Sequence, residues 1–374
     1  MTLEFQGSEK PTLGVEIELQ IIDPKTLDLV PQSEVVLDLC KQRELRVKAE
    51  IHQSMIEVDS EISEDVKQCR RCLKDTMLQL NDVVESVGYM LGVTGTHPFQ
   101  QWAERLISNS DRYLDFHEKF QWLARRMNVY GMHVHIGVSS GTRALALCQA
   151  MIKYLPHLLA LSANSPFWQG ISTGMQSSRI NILDAFPLCG FPKAFNSWKQ
   201  FEDYYKTMSN VGAIKSFKDI YWYVRPNPFY GTIEIRICDA MTKMDETMAV
   251  VAFIQCLVAK INEELDEGVA SEWSKKHHWI VPENQWIAAR DGLDGSIITD
   301  LQGKRQKISD AILELVVELS PIAKKLNCSE ELDYLSEIVK VGNGAQRQAA
   351  NFANTNSLRS VVEAAHEEFK RSYR

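Results

Sequence analysis

The chain has 374 residues, 45% of them hydrophobic, so it can bury a large core in one or two domains. Its 41 Lys and Arg residues are outnumbered by 49 Asp and Glu residues and form no basic block, which excludes the electrostatic pattern of a nucleic-acid-binding protein. The longest apolar run, 248–257, is too short to span a bilayer and no secretory leader is recognisable, so we predict a cytoplasmic protein with no membrane partner.

The first predicted element is a strand over 15–20, in which apolar and polar residues alternate. Successive side chains of a strand point to opposite faces, so Glu16, Glu18 and Gln20 share one face. A solvent-wetted strand shows the same alternation but favours Thr, Ser and Lys. Two glutamates about 7 Å apart resist joint ionisation unless a cation or an Arg neutralises them. The pair therefore indicates a metal-binding or Arg-paired face.

A strand over 50–59, a helix over 65–88 and a short strand over 90–95 follow. The strand carries Glu50 and Glu57. The helix contains a CxxC pair, Cys69 and Cys72, with no second CxxC and no adjacent His, so we interpret both as helix residues rather than as a zinc or redox site. Eight dispersed cysteines in a long chain are typical of reduced thiols.

Two further strands show the same polar alternation. The strand over 132–136 places His133 and His135 on one face, and the strand over 232–237 does the same for Glu234 and Arg236. Because more than 90 residues separate the three polar strands, the site must be assembled over most of the chain.

Helical spacing predicts the remaining elements. These helices cover 110–127, 143–164, 197–210, 243–267, 307–326 and 355–374. Strands and helices do not alternate as βαβ units would, so the predicted fold class is α+β with a largely antiparallel sheet flanked by helices. We predict a single domain over 1–374 with a helical C-terminal portion from about residue 305.

Several aromatic residues and histidines have a structural interpretation. We expect Trp168, Trp222, Trp279 and Trp286 to pack in the core, because aromatic side chains mostly serve burial. His97 precedes Pro98 and is interpreted as a turn residue. His277 and His278 lie in a Lys-rich turn and are expected to face solvent.

The gathered polar groups favour a hard metal ion. Glutamate oxygens dominate the set and thiolates are absent from it, so Mg²⁺ is the predicted metal, with Mn²⁺ as its substitute; zinc is the rival if both histidines are ligands. Magnesium commonly takes its remaining ligands from phosphates, which suggests a nucleotide. No Walker A motif or kinase Gly-rich loop occurs, so metal ions and arginines would hold the nucleotide. The candidate arginines are Arg179, Arg225, Arg236 and Arg290.

Seven segments, in order along the chain, resemble the glutamate-cysteine ligase type 2 family of carboxylate-amine ligases. They are "GVEIELQIIDPKTLDLVP", "EIHQSMIEVDSEI", "GTHP", "GMHVHIGV", "LLALSANSPFWQGISTGMQSSRI", "RPNPFYGTIEIRICDA" and "ENQWIAARDGLD". The family patterns that they resemble include GVEEEF at the start, DTG in the fifth segment and GT.E.R..DA in the sixth. Agreement of so many ordered segments is hard to attribute to chance.

The resemblance implies a glutamine synthetase-like catalytic fold, in which an antiparallel sheet forms a concave face around ATP and divalent metal. It also implies a reaction in which ATP phosphorylates a carboxylate, glutamate being the expected one, and an amine such as that of cysteine attacks the acyl phosphate. By motif position the metal ligands would be Glu16, Glu18, Glu50, Glu57, His133 and Glu234. Arg236 would meet the transferring phosphoryl group, with Glu234 and His133 beside it as catalytic residues.

The remaining assignments concern binding. Arg179, Arg225, Arg290 and His135 would contact nucleotide or substrate. Arg suits this role because its planar fork makes bidentate contacts to carboxylate or phosphate. The expected partners are therefore ATP, an amino acid and an amine, and a homodimer is the default oligomeric state.

Three positions depart from the family pattern. Ile17 replaces the second Glu of GVEEE, but strand alternation turns position 17 away from the charged face, so the change should spare the site. Ser172 stands where the family has the Asp of DTG, and Asp59 adds a negative charge near the cluster. Two alternatives to a ligase remain open: a metal-dependent hydrolase, and a non-catalytic nucleotide or metal sensor of the same fold.

Overall fold

The computed structural model describes residues 3–269 and 278–373. Within them the main element is an antiparallel sheet with strand order β10-β11-β5-β1-β3-β2, to which β4 adds by pairing with β1. The strands are β1 (Leu13–Ile22), β2 (Val47–Ala49), β3 (Met55–Asp59), β4 (Met90–Gly92), β5 (Met132–Gly137), β6 (Phe167–Trp168), β7 (Ile171–Ser172), β8 (Cys189–Gly190), β9 (Tyr221–Trp222), β10 (Val224–Asn227), β11 (Thr232–Ile235), β12 (Ser296–Ile298) and β13 (Arg305–Lys307).

Helices cover the apolar face of this sheet, as the predicted α+β class requires. Their bounds are α1 (Ser33–Gln42), α2 (Val66–Ser86), α3 (Asp111–Phe120), α4 (Trp122–Arg126), α5 (Gly141–Met151), α6 (Leu155–Ser162), α7 (Arg179–Leu183), α8 (Trp198–Asn210), α9 (Met244–Asp266), α10 (Ile280–Asp291), α11 (Ile308–Lys325), α12 (Ser329–Val341), α13 (Gly344–Thr355) and α14 (Leu358–Tyr373). Short 3-10 turns occupy Trp102–Glu104, Ile152–Tyr154, Phe217–Asp219 and Gly292–Asp294.

The alternation of β1 works as the sequence predicts. Val15, Ile17 and Leu19 are at most 1% exposed and belong to the main hydrophobic core, while Glu16 and Glu18 face the other side. The expectation that Ile17 leaves the charged face untouched is therefore confirmed. Each buried aliphatic side chain stabilises the fold by about 1.5–3 kcal/mol, so this strand is anchored strongly enough to hold charged groups on its opposite face.

Several predicted elements differ in their bounds. The strand predicted over 50–59 begins only at Met55, and Glu50 lies in the connection after β2. The helix predicted over 110–127 is divided at Gln121, whose φ of 47° is incompatible with a continuous helix. Pro156, which lacks a backbone N–H, follows a 3-10 turn that interrupts the helix predicted over 143–164.

The segment Gly141–Ser162 is long and apolar enough to cross a membrane by length and composition alone. However, 78% of its apolar window is buried inside the protein. A core helix of a globular protein has these properties, and we interpret the segment so. Cytoplasmic location stays a prediction.

The structure confirms the predicted placement of the CxxC pair but only part of that of the tryptophans. Cys69 and Cys72 lie in α2, as predicted. Trp168 and Trp222 are buried, but the predicted burial of Trp279 and Trp286 is wrong: Trp279, just before α10, is 59% exposed, and Trp286, in the middle of α10, is 45% exposed. His278 is exposed, and His277 lies outside the described residues.

The helices after residue 305 pack back onto much earlier parts of the chain. In α14, Arg359 Nη2 donates to the carbonyl of Lys25 at 2.8 Å, and His366 Nδ1 hydrogen-bonds to the carbonyl of Leu91 in β4 at 2.8 Å. At the start of α13, Ala345 N donates to the carbonyl of Ala163 at 2.9 Å. The helical C-terminal portion thus closes over the sheet; its assignment to one domain stays a prediction.

Candidate active site

Strand register brings the predicted polar groups into rows across the sheet. In the first row Arg225 of β10 lies opposite Glu234 of β11, which lies opposite His135 of β5. Arg225 Nε and Nη2 each donate to a different oxygen of Glu234 at 2.9 Å. Burial acts to raise the pKa of Glu234, but the guanidinium groups of Arg225 and Arg236 outweigh it and hold that pKa well below its usual range. Glu234 is therefore an anion enclosed by cations.

Arg225 was predicted to touch substrate, and its contacts indicate another task. The third guanidinium nitrogen, Nη1, donates to the carbonyl of Ile220 at 2.6 Å. The guanidinium also lies 5.3 Å from the ring centroid of Phe217. With Nε, Nη1 and Nη2 all bonded within the protein, Arg225 is suited to fixing the position of Glu234. Asn227, two residues along β10, adds a hydrogen bond to Glu234 Oε2 at 3.0 Å.

The second row joins His133 of β5 to Glu16 of β1 and Asp59 of β3. His133 Nδ1 lies 3.1 Å from Glu16 Oε2, and His135 Nε2 lies 3.6 Å from Glu16 Oε1. Burial acts to raise the pKa of Glu16, but both imidazoles outweigh it and the pKa falls. Burial, helped by the charge of Arg236, lowers the pKa of His133 to about 4. His133 is therefore neutral at pH 7, which is the form that binds metal ions.

The third row places Glu18 of β1 opposite Glu57 of β3, which lies opposite Lys48 of β2. Burial raises the pKa of Glu57, and the nearby charge of Glu16 raises it further. Burial also raises the pKa of Glu18, against the opposing charge of Arg179 and a hydrogen bond from Gly131 N. Lys48 Nζ lies 3.7 Å from Glu57 Oε1. At a given pH, Glu18 and Glu57 are therefore protonated to a greater extent than free glutamates.

Lys48 neutralises the additional negative charge that Asp59 brings to the site. The two side chains form an ion pair at the edge of the site, so the extra negative charge at position 59 has a local counterion. Lys48 was not predicted, although it alternates with Val47 and Ala49 in a strand pattern that could have indicated it.

Three groups of side chains could each hold a cation. The groups are Glu16 with His133 and Glu234, Glu18 with Glu57 and His133, and Glu16 with Glu57 and Asp59; in each, one ligand atom per residue lies within 4.8 Å of the others. Carboxylate oxygens with one imidazole suit Mg²⁺ or Mn²⁺ better than a closed zinc site. In addition, His135 Nε2 is buried without a hydrogen-bond partner among the described residues. The side chains present therefore fit the predicted divalent metal.

Proton release should accompany metal binding. Burial and the charge of Glu18 raise the pKa of Glu50 to about 7, and the pKa values of Glu18 and Glu57 are raised as well. A metal ion binds ionised carboxylates, so affinity should rise with pH, by about tenfold per unit for each proton displaced, and fall as pH drops below 7. Calorimetric titration of Mn²⁺ in two buffers of different ionisation enthalpy counts the protons; affinity independent of pH between 6 and 8 would contradict the prediction.

Most residues of the three rows form the floor of a cavity of about 440 Å³, within the usual size of a small-ligand site, but His135 and Asp59 do not line it. Predicted residues that line it are Glu16, Glu18, Glu50, Glu57, His133, Arg179, Arg225, Glu234 and Arg236. Residues that the sequence did not single out are Lys48, Arg112, Tyr113, Tyr205, Lys215, Lys218, Tyr221, Tyr223, Asn227, Phe229 and Tyr230. Among the described residues the side chain of Arg236 hydrogen-bonds only through Nη1, to Glu234 and His133, so Nε and Nη2 are available to an anion.

Other predicted residues lie away from this cavity. Arg290 is 47% exposed, pairs with the adjacent Asp291 and does not line the cavity, so its predicted binding role is not supported by its position. His135 packs behind Tyr230, its ring centroid 5.6 Å away, and reaches the site through Glu16. His97 is buried; its Nε2 bonds to the carbonyl of Leu27 at 2.8 Å and its Nδ1 accepts from Gln100 N at 3.2 Å, and it does not line the cavity. Ser172 is exposed in β7 and does not line the cavity.

The sequence profile of glutamate-cysteine ligase family 2 matches residues 12–368. A protein of Gloeobacter violaceus, provisionally named glutamate–cysteine ligase 2, is 39% identical over 365 residues, which cover 97% of this chain and 98% of that protein. A protein of Mycobacterium tuberculosis with the same provisional name is 35% identical over 363 residues, covering 97% and 96% of the two chains.

Solved structures show the same fold. The glutamate–cysteine ligase of Francisella tularensis, solved in complex with AMP, has a TM-score of 0.69 at 11% identity and covers 97% of this chain and 90% of that chain. A bifunctional glutathione synthetase of Pasteurella multocida has a TM-score of 0.68 at 12% identity, covering 97% of this chain and 53% of that chain. At such low identity these likenesses concern the fold alone, and they agree with the predicted class of antiparallel sheet and helices.

Proposed function

The chain belongs to glutamate-cysteine ligase family 2, and from that membership we propose that it is a Mg²⁺-dependent ligase that uses ATP to join a carboxylate to an amine. The proposed carboxylate is an amino acid, with glutamate as the first candidate, and the proposed amine is that of an amino acid such as cysteine. The reaction would pass through an acyl phosphate formed on the substrate carboxylate, with ADP as the first product and phosphate released on amide formation.

One observation carries the proposal: three carboxylate-rich clusters and the guanidinium of Arg236 face one small cavity. Phosphoryl transfer depends on positioning and on neutralising spread negative charge rather than on a protein nucleophile. Metal ions bound there would neutralise phosphate oxygens and reduce their repulsion of the incoming carboxylate. The proposed ligands are Glu16, Glu18, Glu50, Glu57, His133 and Glu234.

The protein's own groups would perform separate tasks. Arg236 would donate to the transferring phosphoryl group through the donors that Glu234 and His133 leave available. Arg225 would hold Glu234 in place, and Arg179, which also lines the cavity, would receive a carboxylate or phosphate. The exposed cations of the cavity mouth, Arg112 and Lys218, would attract the anionic substrates.

A phosphate-release screen tests the proposal. The full chain is incubated with Mg²⁺ and ATP against a matrix of amino acids and amines, and we expect phosphate release only when both a carboxylate and an amine are supplied. Mass spectrometry should detect the amide product. Release of phosphate without an amine would indicate hydrolysis, and ATP binding without phosphate release in any mixture would indicate a sensor; either result would replace the ligase proposal.

A further inference from the structure

Arg179 reaches the cavity from a segment outside the main sheet. It is the first residue of α7 and is 3% exposed. Its Nη1 donates to the carbonyl of Ile237 at 3.3 Å and its Nη2 to the carbonyl of Arg236 at 3.4 Å, while its Nε has no hydrogen-bond partner among the described residues. A Cβ on Gly131 would lie 2.0 Å from Nη2, so the guanidinium fits only because that position is glycine. The guanidinium of Arg179 is thus held in place, although its Nε does not donate to any described residue.

Asp239 lies directly behind this guanidinium and is fully buried. One oxygen, Oδ2, accepts from Ser165 Oγ at 2.6 Å and from Asn164 N at 2.9 Å. The other, Oδ1, accepts from Ser177 Oγ at 2.9 Å and lies 3.9 Å from Arg179 Nη1. A buried carboxylate is costly unless it is paired and hydrogen-bonded, and here both conditions are met.

Asp239 lies in the irregular chain that follows β11, and its contacts join both ends of the segment 164–179 to this chain. Both serines that bond to Asp239 lie in that segment, and Ser165 Oγ also accepts from Arg179 N at 3.2 Å. On the other side, Gln348 of α13 donates to Asn164 Oδ1 at 2.7 Å. The carboxylate is thus the point at which the C-terminal helices, the segment 164–179 and the cavity floor meet.

We propose that Asp239 is a positioning residue that holds the guanidinium of Arg179 toward an anionic group of the substrate. Asp239 itself does not line the cavity, so it acts only through Arg179 and through the serines that orient the start of α7. This inference rests on the proposed ligase function, because the anion is taken to be a carboxylate or phosphate of its substrates. Through Asp239 the segment 164–179, which contains Ser172, is linked to the site, although Ser172 itself does not line the cavity.

Steady-state kinetics of Asp239→Asn test the inference, with ATP, carboxylate and amine varied separately. We expect the KM for one anionic substrate to rise by about tenfold, the loss expected from one weakened charge-assisted hydrogen bond, with kcat changed by less than about threefold. Arg179→Lys should raise the KM of the same substrate. In the double variant the effects should not multiply, because both changes remove one interaction.

Two further variants keep the test decisive. Glu246→Gln removes the charge of another buried carboxylate, bonded to Arg347 at 2.7 and 2.8 Å, and should lower thermal stability without changing any KM. Ser177→Ala keeps Asp239 but frees the oxygen that faces Arg179, and should raise the same KM by about threefold if Asp239→Asn does not fold. Unchanged KM values, or effects on a different substrate from Arg179→Lys, would overturn the inference. A wild-type chain without ATP-dependent turnover would instead reject the proposed function.

Discussion

Replacing Glu234 with Gln is expected to lower ATP-dependent turnover by at least about 100-fold while the protein keeps its fold, as loss of one preorganised charge does elsewhere. Glutamine fills the same volume but carries no charge, so two guanidinium groups would lose their shared counterion. The variant would also lose a ligand from the cluster of Glu16, His133 and Glu234. Phosphate release under saturating substrates measures the effect, and circular dichroism checks the fold.

Glu246→Gln is the matched control for this prediction. Glu234 and Glu246 are both buried, and each accepts hydrogen bonds from an Arg through both carboxylate oxygens. Glu246 does not line the cavity. The two variants should therefore lose comparable thermal stability, but only Glu234→Gln should lose turnover. Near-normal rates in Glu234→Gln would remove this residue from the proposed site.

Glu16→Gln should have the next largest effect, because Glu16 belongs to two of the three candidate cation clusters. We expect the Mg²⁺ concentration for half-maximal turnover to rise by at least about tenfold, and turnover at saturating Mg²⁺ to fall by about 100-fold. His133 and His135 would also lose the anion that both contact. Turnover measured against Mg²⁺ concentration separates weaker metal binding from slower chemistry.

Glu64→Gln provides the comparison for that variant. Glu64 is an exposed glutamate whose ion pair with Lys10 has both side chains 73% exposed, so its loss should leave metal dependence and stability nearly unchanged. If Glu16→Gln had the same Mg²⁺ dependence as this control, Glu16 would not be a metal ligand.

The charged face was predictable because successive side chains of a strand point to opposite faces, so residues two positions apart must share one face. Glu16, Glu18, His133 and Glu234 were identified in this way, and the structure brings all four to one cavity. Asn227 follows the same rule, two residues after Arg225 in β10. An extension of the alternation argument to that strand would have found it.

Tertiary placement was not predictable from residue type. The sequence does not specify that β5 lies between β1 and β11, and this order is what places His133 opposite Glu16 and His135 opposite Glu234. Residue type does not distinguish Arg290 from Arg179, yet Arg290 is exposed in α10 whereas Arg179 is buried and lines the cavity. Glu50 was assigned to a strand, but it reaches the cavity from the connection after β2.

The docking of α14 has a consequence for biosynthesis. Arg359 bonds to the backbone of Lys25 and Thr26, and His366 bonds to the carbonyl of Leu91, so residues separated by 275 to 334 positions must meet. A nascent chain that ends before Leu358 leaves these early segments uncovered, and contacts between such distant positions form slowly. Ribosomes must therefore translate beyond residue 366 before these early segments gain their final contacts, which gives chaperones a long interval in which to bind.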